Sequence, residues 1–308
     1  MPGVLLIRTR LVVEHCSIVA MSRVVGRGLY VMDQELNELA GVSRFFEERA
    51  AFWEDVYDAD TLDGAIYRQR LEVAVHWVRE LGLPAGSSVL DVGCGAGFLM
   101  VPLAQLGFLT VGMDVSMAML EVARGRVQSL PGVGEGFVAL ADTASLGFRT
   151  GSFDLISALG VIPWIKDPIR ALEELGRALT PNGYLLATSD NSWRLAHVLD
   201  PRHAPYSEGI RRGIRLCLLK LTARATSPRV RERRYSSQQV DQIFAAAGFE
   251  VVKRTHVGYG PFTLVGRRVL SENASIRLNV LLHKPGFARR LLRAGGNHYI
   301  VLARPRRA

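Results

Sequence analysis

The run Ser88-Val-Leu-Asp-Val-Gly-Cys-Gly-Ala-Gly-Phe-Leu-Met100 constrains this chain more than any other stretch. Val89, Leu90 and Val92 form a short β-prone apolar segment, the pattern of a buried parallel strand. The segment breaks into Gly93-x-Gly95-x-Gly97, and Phe98, Leu99, Val101, Leu103 and Leu106 follow in a helical pattern. A strand that turns through glycines into a helix start leaves backbone N–H groups bare and lets a ligand approach them.

Glycines alone do not name the ligand, because dinucleotide enzymes use a similar turn. Here the spacing is G-x-G-x-G, not G-x-G-x-x-G. Asp91, two residues before the first glycine, would repel a pyrophosphate but can accept hydrogen bonds from an ammonium group. Asp114 ends the next apolar run, Leu109–Met113, where it can accept both hydroxyls of a ribose. An acid by the loop, with no phosphate-binding cation in it, suits a ligand with an amino-acid tail and a ribose. S-adenosylmethionine has both.

Further pieces follow in order: Gly112-Met-Asp-Val-Ser116, Ala141-Asp-Thr-Ala144, Ser152-Phe-Asp-Leu-Ile-Ser157 and Leu179-Thr-Pro-Asn-Gly-Tyr-Leu185. With 89–97 they make the chain resemble a class I S-adenosylmethionine-dependent methyltransferase of the small-molecule group that includes quinone-biosynthesis and natural-product enzymes. The resemblance is tight over 88–190 and loose over most of the remainder. It implies an α/β fold with a doubly wound, seven-stranded, mostly parallel sheet whose last strand is antiparallel. Strands are expected near 88–92, 109–113, 137–140, 153–158, 183–189, 249–257 and 298–303. Helices are expected near 97–106, 116–128, 167–178 and 237–247. Pro181-Asn182-Gly183 reads as a tight turn into the fifth strand. Residues 1–40 read as an N-terminal extension and 41–308 as one domain. Within it, 41–86 form a helical cap opening on a helix at 43–58 with Ser43 as N-cap, and 191–236 form a helical insert or lid.

Ligands of such sheets bind beyond the carboxyl ends of the strands, near the point where strand order switches. After the first strand, Gly93, Cys94, Gly95 and Gly97 are placed to meet the amino-acid tail through their backbone. After the second, Asp114 takes the ribose, with Val115 and Met119 against the adenine. After the third come Asp142 and Thr143 for the adenine edge, and after the fourth Ala158, Leu159 and Gly160 near the sulfonium. In enzymes of this kind the N-terminal helices cover the methionine end, which makes Tyr67, Arg68 and Arg70 candidates for its carboxylate. Related enzymes often carry a histidine shortly after the fourth strand. Here Trp164 stands there, which removes the obvious base. Proton acceptors are therefore sought in His197, His203, Tyr206 and His256, with Asp190 and Asn191 as polar contacts to a substrate. Trp164, Trp193, Tyr259 and Phe262 suggest a flat or apolar substrate.

A net charge of +9 invites a nucleic-acid or anionic-membrane reading. The charge sits in appendages, however: Arg211, Arg212, Arg215, Lys220, Arg224, Arg229, Arg231, Arg233 and Arg234 in the insert, and Arg289, Arg290, Arg293, Arg304, Arg306 and Arg307 near the C-terminus. The insert also carries Ile210, Ile214, Cys217, Leu218 and Leu221 on one helical face, which makes it a lid, a peripheral membrane contact or plain packing. The chain has no Asn-Pro-Pro-aromatic run after the fourth strand and no zinc spacing, so the RNA methyltransferase alternative is the weaker one. A non-catalytic S-adenosylmethionine-binding protein is a further alternative. Cys16, Cys94 and Cys217 form neither a disulfide framework nor a metal site, and a reducing cytoplasm is the expected compartment.

Overall fold

The glycine-turn strand becomes β1, Ser88–Val92, in the middle of a seven-stranded sheet. The computed structural model describes residues 39–129, 136–143, 146–207, 232–284 and 294–306, with Gly209 and Gly213. The other strands are β2 Leu109–Asp114, β3 Gly136–Leu140, β4 Phe153–Ala158, β5 Leu179–Asp190 and β6 Phe249–Val257. A small hairpin follows, β7 Thr263–Leu264 with β8 Arg267–Arg268, and β9 is His298–Pro305. The order across the large sheet is β3-β2-β1-β4-β5-β9-β6. β1 lies parallel to both β2 and β4, so the chain changes direction across the sheet at β1 and opens a crevice there.

Both faces of the central strands are covered, which is why they read as near-continuous apolar runs. Phe153, Ile156, Leu175, Phe244 and Phe249 are buried on one side, and Leu103, Phe108, Leu155, Leu186 and Ile300 on the other. Helices start where short polar side chains cap them. Ser116 Oγ accepts from Met119 N–H, Asp167 accepts from Arg170 N–H, and Ser236 forms a reciprocal capping box with Gln239.

All seven expected strands are present in the large sheet, and four details differ. The helix after the glycine turn begins at Met100 rather than at 97. Ser43 caps nothing: residues 39–47 are already helical, and its hydroxyl donates to Glu47 Oε1 at 3.0 Å within that helix. A second helix, Ala50–Asp55, follows a break. Pro181–Gly183 lie inside β5, where the pairing skips from Phe153↔Leu179 to Leu155↔Tyr184, so the extra residues bulge without ending the strand. Most of the basic, amphipathic part of the insert lies outside the described residues.

β9 is antiparallel to both neighbours, β5 and β6. A strand that runs backwards starts where its parallel neighbours end. The first residue of β9, His298, therefore sits opposite the last residue of β5, Asp190, at the ligand-facing edge of the sheet.

Candidate active site

A cavity of about 1020 Å³ opens at the carboxyl edge of β1, β2, β4 and β5. That lies at the upper end of the usual range for a small-molecule site, roughly 300–1,000 Å³. Its floor is the glycine turn. Gly93 has φ +61° and Gly95 has φ +51°, conformations that side chains resist. At Gly93 a Cβ would also strike Val161, with 2.5 Å to its Cγ2. At Gly95 a Cβ would meet nothing within 4 Å, so the space beside this backbone is free for a ligand.

Asp114 stands at one side of the floor with its carboxylate fixed by the backbone. Oδ2 accepts from Gly95 N–H and Oδ1 from Ser116 N–H, both at 2.9 Å. Each oxygen keeps a second acceptor site for a pair of hydroxyls. Val115, Met119, Asp142 and Thr143 continue the wall beyond it.

At the other end lies a separated pair of opposite charges. Asp91 is buried, and its carboxyl accepts a hydrogen bond from Ser157 Oγ at 2.6 Å. Burial pushes its pKa up to about 7, against the pull of that hydrogen bond. Arg70 is equally buried. Its Nη2 donates to Tyr57 Oη at 2.8 Å and its guanidinium lies 4.7 Å from the Tyr67 ring centre, while Nε has no partner. Among the described residues no carboxylate forms an ion pair with it. A buried cation and a buried acid that do not pair with each other are costly to keep. Together they complement a zwitterion.

A lid of aromatic side chains closes the floor. Tyr57 stacks on Phe98 at 4.1 Å, and the Arg126 guanidinium lies 3.7 Å from the centre of the same Phe98 ring, while its Nε donates to Ala96 O. This ties the N-terminal helices to the glycine turn. Further out, Trp164 contacts Phe45 and Phe46, and Trp53 contacts Phe46 and Tyr67.

Residues 90–187 match the family model described as a methyltransferase domain. The chain carries a class I S-adenosylmethionine-dependent methyltransferase domain. A ubiquinone biosynthesis O-methyltransferase of Thiobacillus denitrificans is 27% identical to the methyltransferase over 194 residues, 63% of this chain and 77% of that protein. A malonyl-[acyl-carrier protein] O-methyltransferase of Legionella pneumophila is 40% identical over 110 residues, 33% of this chain and 35% of that protein. The fold is similar to that of magnesium protoporphyrin IX methyltransferase from Synechocystis PCC 6803, with a TM-score of 0.57 at 18% identity, covering 86% of this chain and 98% of that one.

The residues present fit S-adenosylmethionine: a buried guanidinium with an unpartnered Nε, a buried acid, a carboxylate with acceptor sites to spare at Asp114, and open space over Gly95. Most expected positions lie on its wall: Tyr67, Arg70, Asp91, Gly93, Cys94, Gly95, Asp114, Val115, Met119, Asp142, Thr143 and Leu159. Gly97 and Ala158 do not. Gly97 is pressed against Ala123, and Ala158 is buried in the core. Arg68 is also elsewhere, donating to the carbonyls of Tyr57 and Ala59.

None of the three histidines expected as base borders the cavity. Both His197 ring nitrogens face arginine donors, Arg194 Nε at 2.9 Å and Arg234 Nη1 at 3.3 Å. Burial first, then these cations, hold its pKa down to about 3. His203 stacks on His197 and reaches Asp200 at 3.4 Å. His256 packs against Tyr299 with Nε2 buried and unpartnered, and burial lowers its pKa to about 4. Tyr206 is exposed and bonds Val198 O. Asn191 is committed to the backbone of Ala294, Gly296 and Trp193. Of the four suggested aromatics only Trp164 lines the cavity; Tyr259 and Phe262 pack with Leu282 and Ala196, and Trp193 is half exposed.

Proposed function

We propose that the methyltransferase holds S-adenosylmethionine with Arg70 on the carboxylate, Asp91 on the ammonium group and Asp114 on the ribose hydroxyls. Val115, Met119, Asp142 and Thr143 surround the adenine, and the acceptor lies among Phe45, Phe46, Trp53 and Trp164. The acceptor is a planar or apolar small molecule methylated on oxygen. The observation that carries this reading is the presence, within one cavity, of a buried guanidinium whose Nε has no partner and a buried acid whose pKa burial raises to about 7.

The cofactor supplies an electrophilic methyl group on a leaving group that is already activated. The protein's task is to align the acceptor and keep water out, and the stacked Tyr57, Phe98 and Arg126 do the second. The helices at 39–86 act as a cap. The oxygen acceptor is supported by the O-methyltransferase relatives. The aromatic walls favour a small flat molecule over a nucleic-acid strand.

Incubation with methyl-labelled S-adenosylmethionine and separate panels of planar phenols, aliphatic amines and bulk tRNA tests the reading. Label is expected in the phenol panel. Label confined to tRNA would replace it with the nucleic-acid alternative.

A further inference from the structure

One buried pair on the cavity wall has no part in the cofactor assignment above: Asp190, the last residue of β5, and His298, the first of β9. They are cross-strand partners, and His298 Nδ1 lies 3.0 Å from Asp190 Oδ1. The His298 and Asp190 side chains are 11% and 15% exposed, enough for contact with a ligand and too little for free hydration. Burial raises the carboxyl of Asp190, but the hydrogen bond from His298 and the fields of Arg194 and Arg234 outweigh it and hold it below the usual carboxylate range. An ionised carboxylate only accepts, so Nδ1 carries the proton of this hydrogen bond and Nε2 keeps its lone pair. Burial, with Arg70 and Arg194 nearby, keeps the imidazole below its ordinary value and hence neutral at pH 7, against the raising effect of Asp190. Among the described residues Nε2 has no hydrogen-bond partner, and it is not sealed in the core. Tyr67 packs against the ring from the cap side, 5.8 Å away between ring centres.

Resting on the methyl-transfer reading above, we propose that His298 Nε2 is the proton acceptor for the substrate hydroxyl, with Asp190 as its positioning residue. The substrate is then a phenol or an enol. The O–H electron pair becomes the new O–C bond, the C–S pair stays with sulfur as a thioether, and the proton passes to Nε2. Asp190 then faces an imidazolium, which it stabilises until the proton leaves to water. The assignment also accounts for Trp164 at the position where related enzymes often keep a histidine: the base comes from the antiparallel strand.

The test uses the full-length protein labelled with ¹⁵N-histidine and saturated with S-adenosylhomocysteine. From pH 6.5 to 8, His298 should show a protonated Nδ1 and a bare Nε2, and Asp190→Asn should abolish that preference. With catechol as the probe acceptor, His298→Gln should lose about 100-fold or more in turnover. It should also lose the acid limb of the pH profile and bind S-adenosylhomocysteine within about twofold of the wild type. Should His298→Gln fail to fold, Asp190→Asn supplies the same turnover comparison. Catechol turnover by a folded His298→Gln within threefold of the wild type overturns the proposal, and so does a proton on Nε2 across that pH range. A wild type that binds S-adenosylhomocysteine but methylates no phenol overturns this inference and leaves cofactor binding standing. A wild type that does not bind it overturns both.

Discussion

Arg70→Met is expected to weaken S-adenosylhomocysteine binding by about 10- to 100-fold without lowering the melting temperature of the ligand-free protein. Hydrogen bonds to a charged group are worth about 1.5–3 kcal/mol, which sets the size of the binding loss. The two effects differ because the guanidinium is buried against a phenol and an aromatic face, with no carboxylate in an ion pair with it among the described residues. Exchanging a buried cation that has no ion-pair partner for an apolar chain of similar reach removes a desolvation cost. Losing the bond to Tyr57 costs about 1 kcal/mol in the other direction. Calorimetry and thermal melts read the two effects separately. A variant that loses stability and keeps its affinity would assign Arg70 to the scaffold instead.

The second large effect is a pH dependence set by Asp91. Burial lifts its pKa from an ordinary 3.8 to about 7 in the ligand-free protein, with the Ser157 hydrogen bond opposing. Between about pH 4 and 7 the folded protein therefore holds a proton that the unfolded chain has released. Over that window the ligand-free protein loses stability as pH rises, by about 1.4 kcal/mol per unit, and above 7 the loss levels off. A ligand ammonium favours the ionised carboxylate, so binding below pH 7 expels this proton. Affinity for S-adenosylhomocysteine should rise about tenfold per unit from pH 5.5 to 7 and then flatten. Asp91→Asn should bind weakly at every pH and lack the slope, and its ligand-free form should be more stable than the wild type at pH 8. Titrations in two buffers of different ionisation enthalpy count the protons released. A wild-type affinity independent of pH over that range would show that no ammonium group meets Asp91.

The sheet was legible because glycine turns, apolar runs and acids at strand ends are local patterns. β1, β2 and their two aspartates follow from a strand, a turn and a carboxylate at fixed spacing. The base was not, for a topological reason. Looking just after each parallel strand finds Gly93, Asp114 and Asp142, but it passes over a residue at the start of a strand that runs the other way. His298 was visible as the opening residue of an antiparallel last strand, and that direction alone puts it at the ligand edge beside Asp190. His256, at the far end of β6, is screened from the cavity by β9. The aromatic chamber was hidden differently. Phe45, Phe46 and Trp53 fall in the helix expected at 43–58, and the approach of Phe45 and Phe46 to Trp164 is a long-range contact with no sequence signature. Tyr259 and Phe262 show the converse, since a buried loop and a substrate wall draw on the same residue types.

Titration of Asp114→Ala with S-adenosylhomocysteine, beside the wild type, tests the central claim most directly. The two backbone N–H groups that hold the carboxylate leave it facing the cavity, and the account predicts about 10- to 100-fold weaker binding once it is gone. Binding as tight as the wild type's, by a variant that still folds, would mean that the nucleoside does not lie across β2 and would contradict the cofactor site as built here.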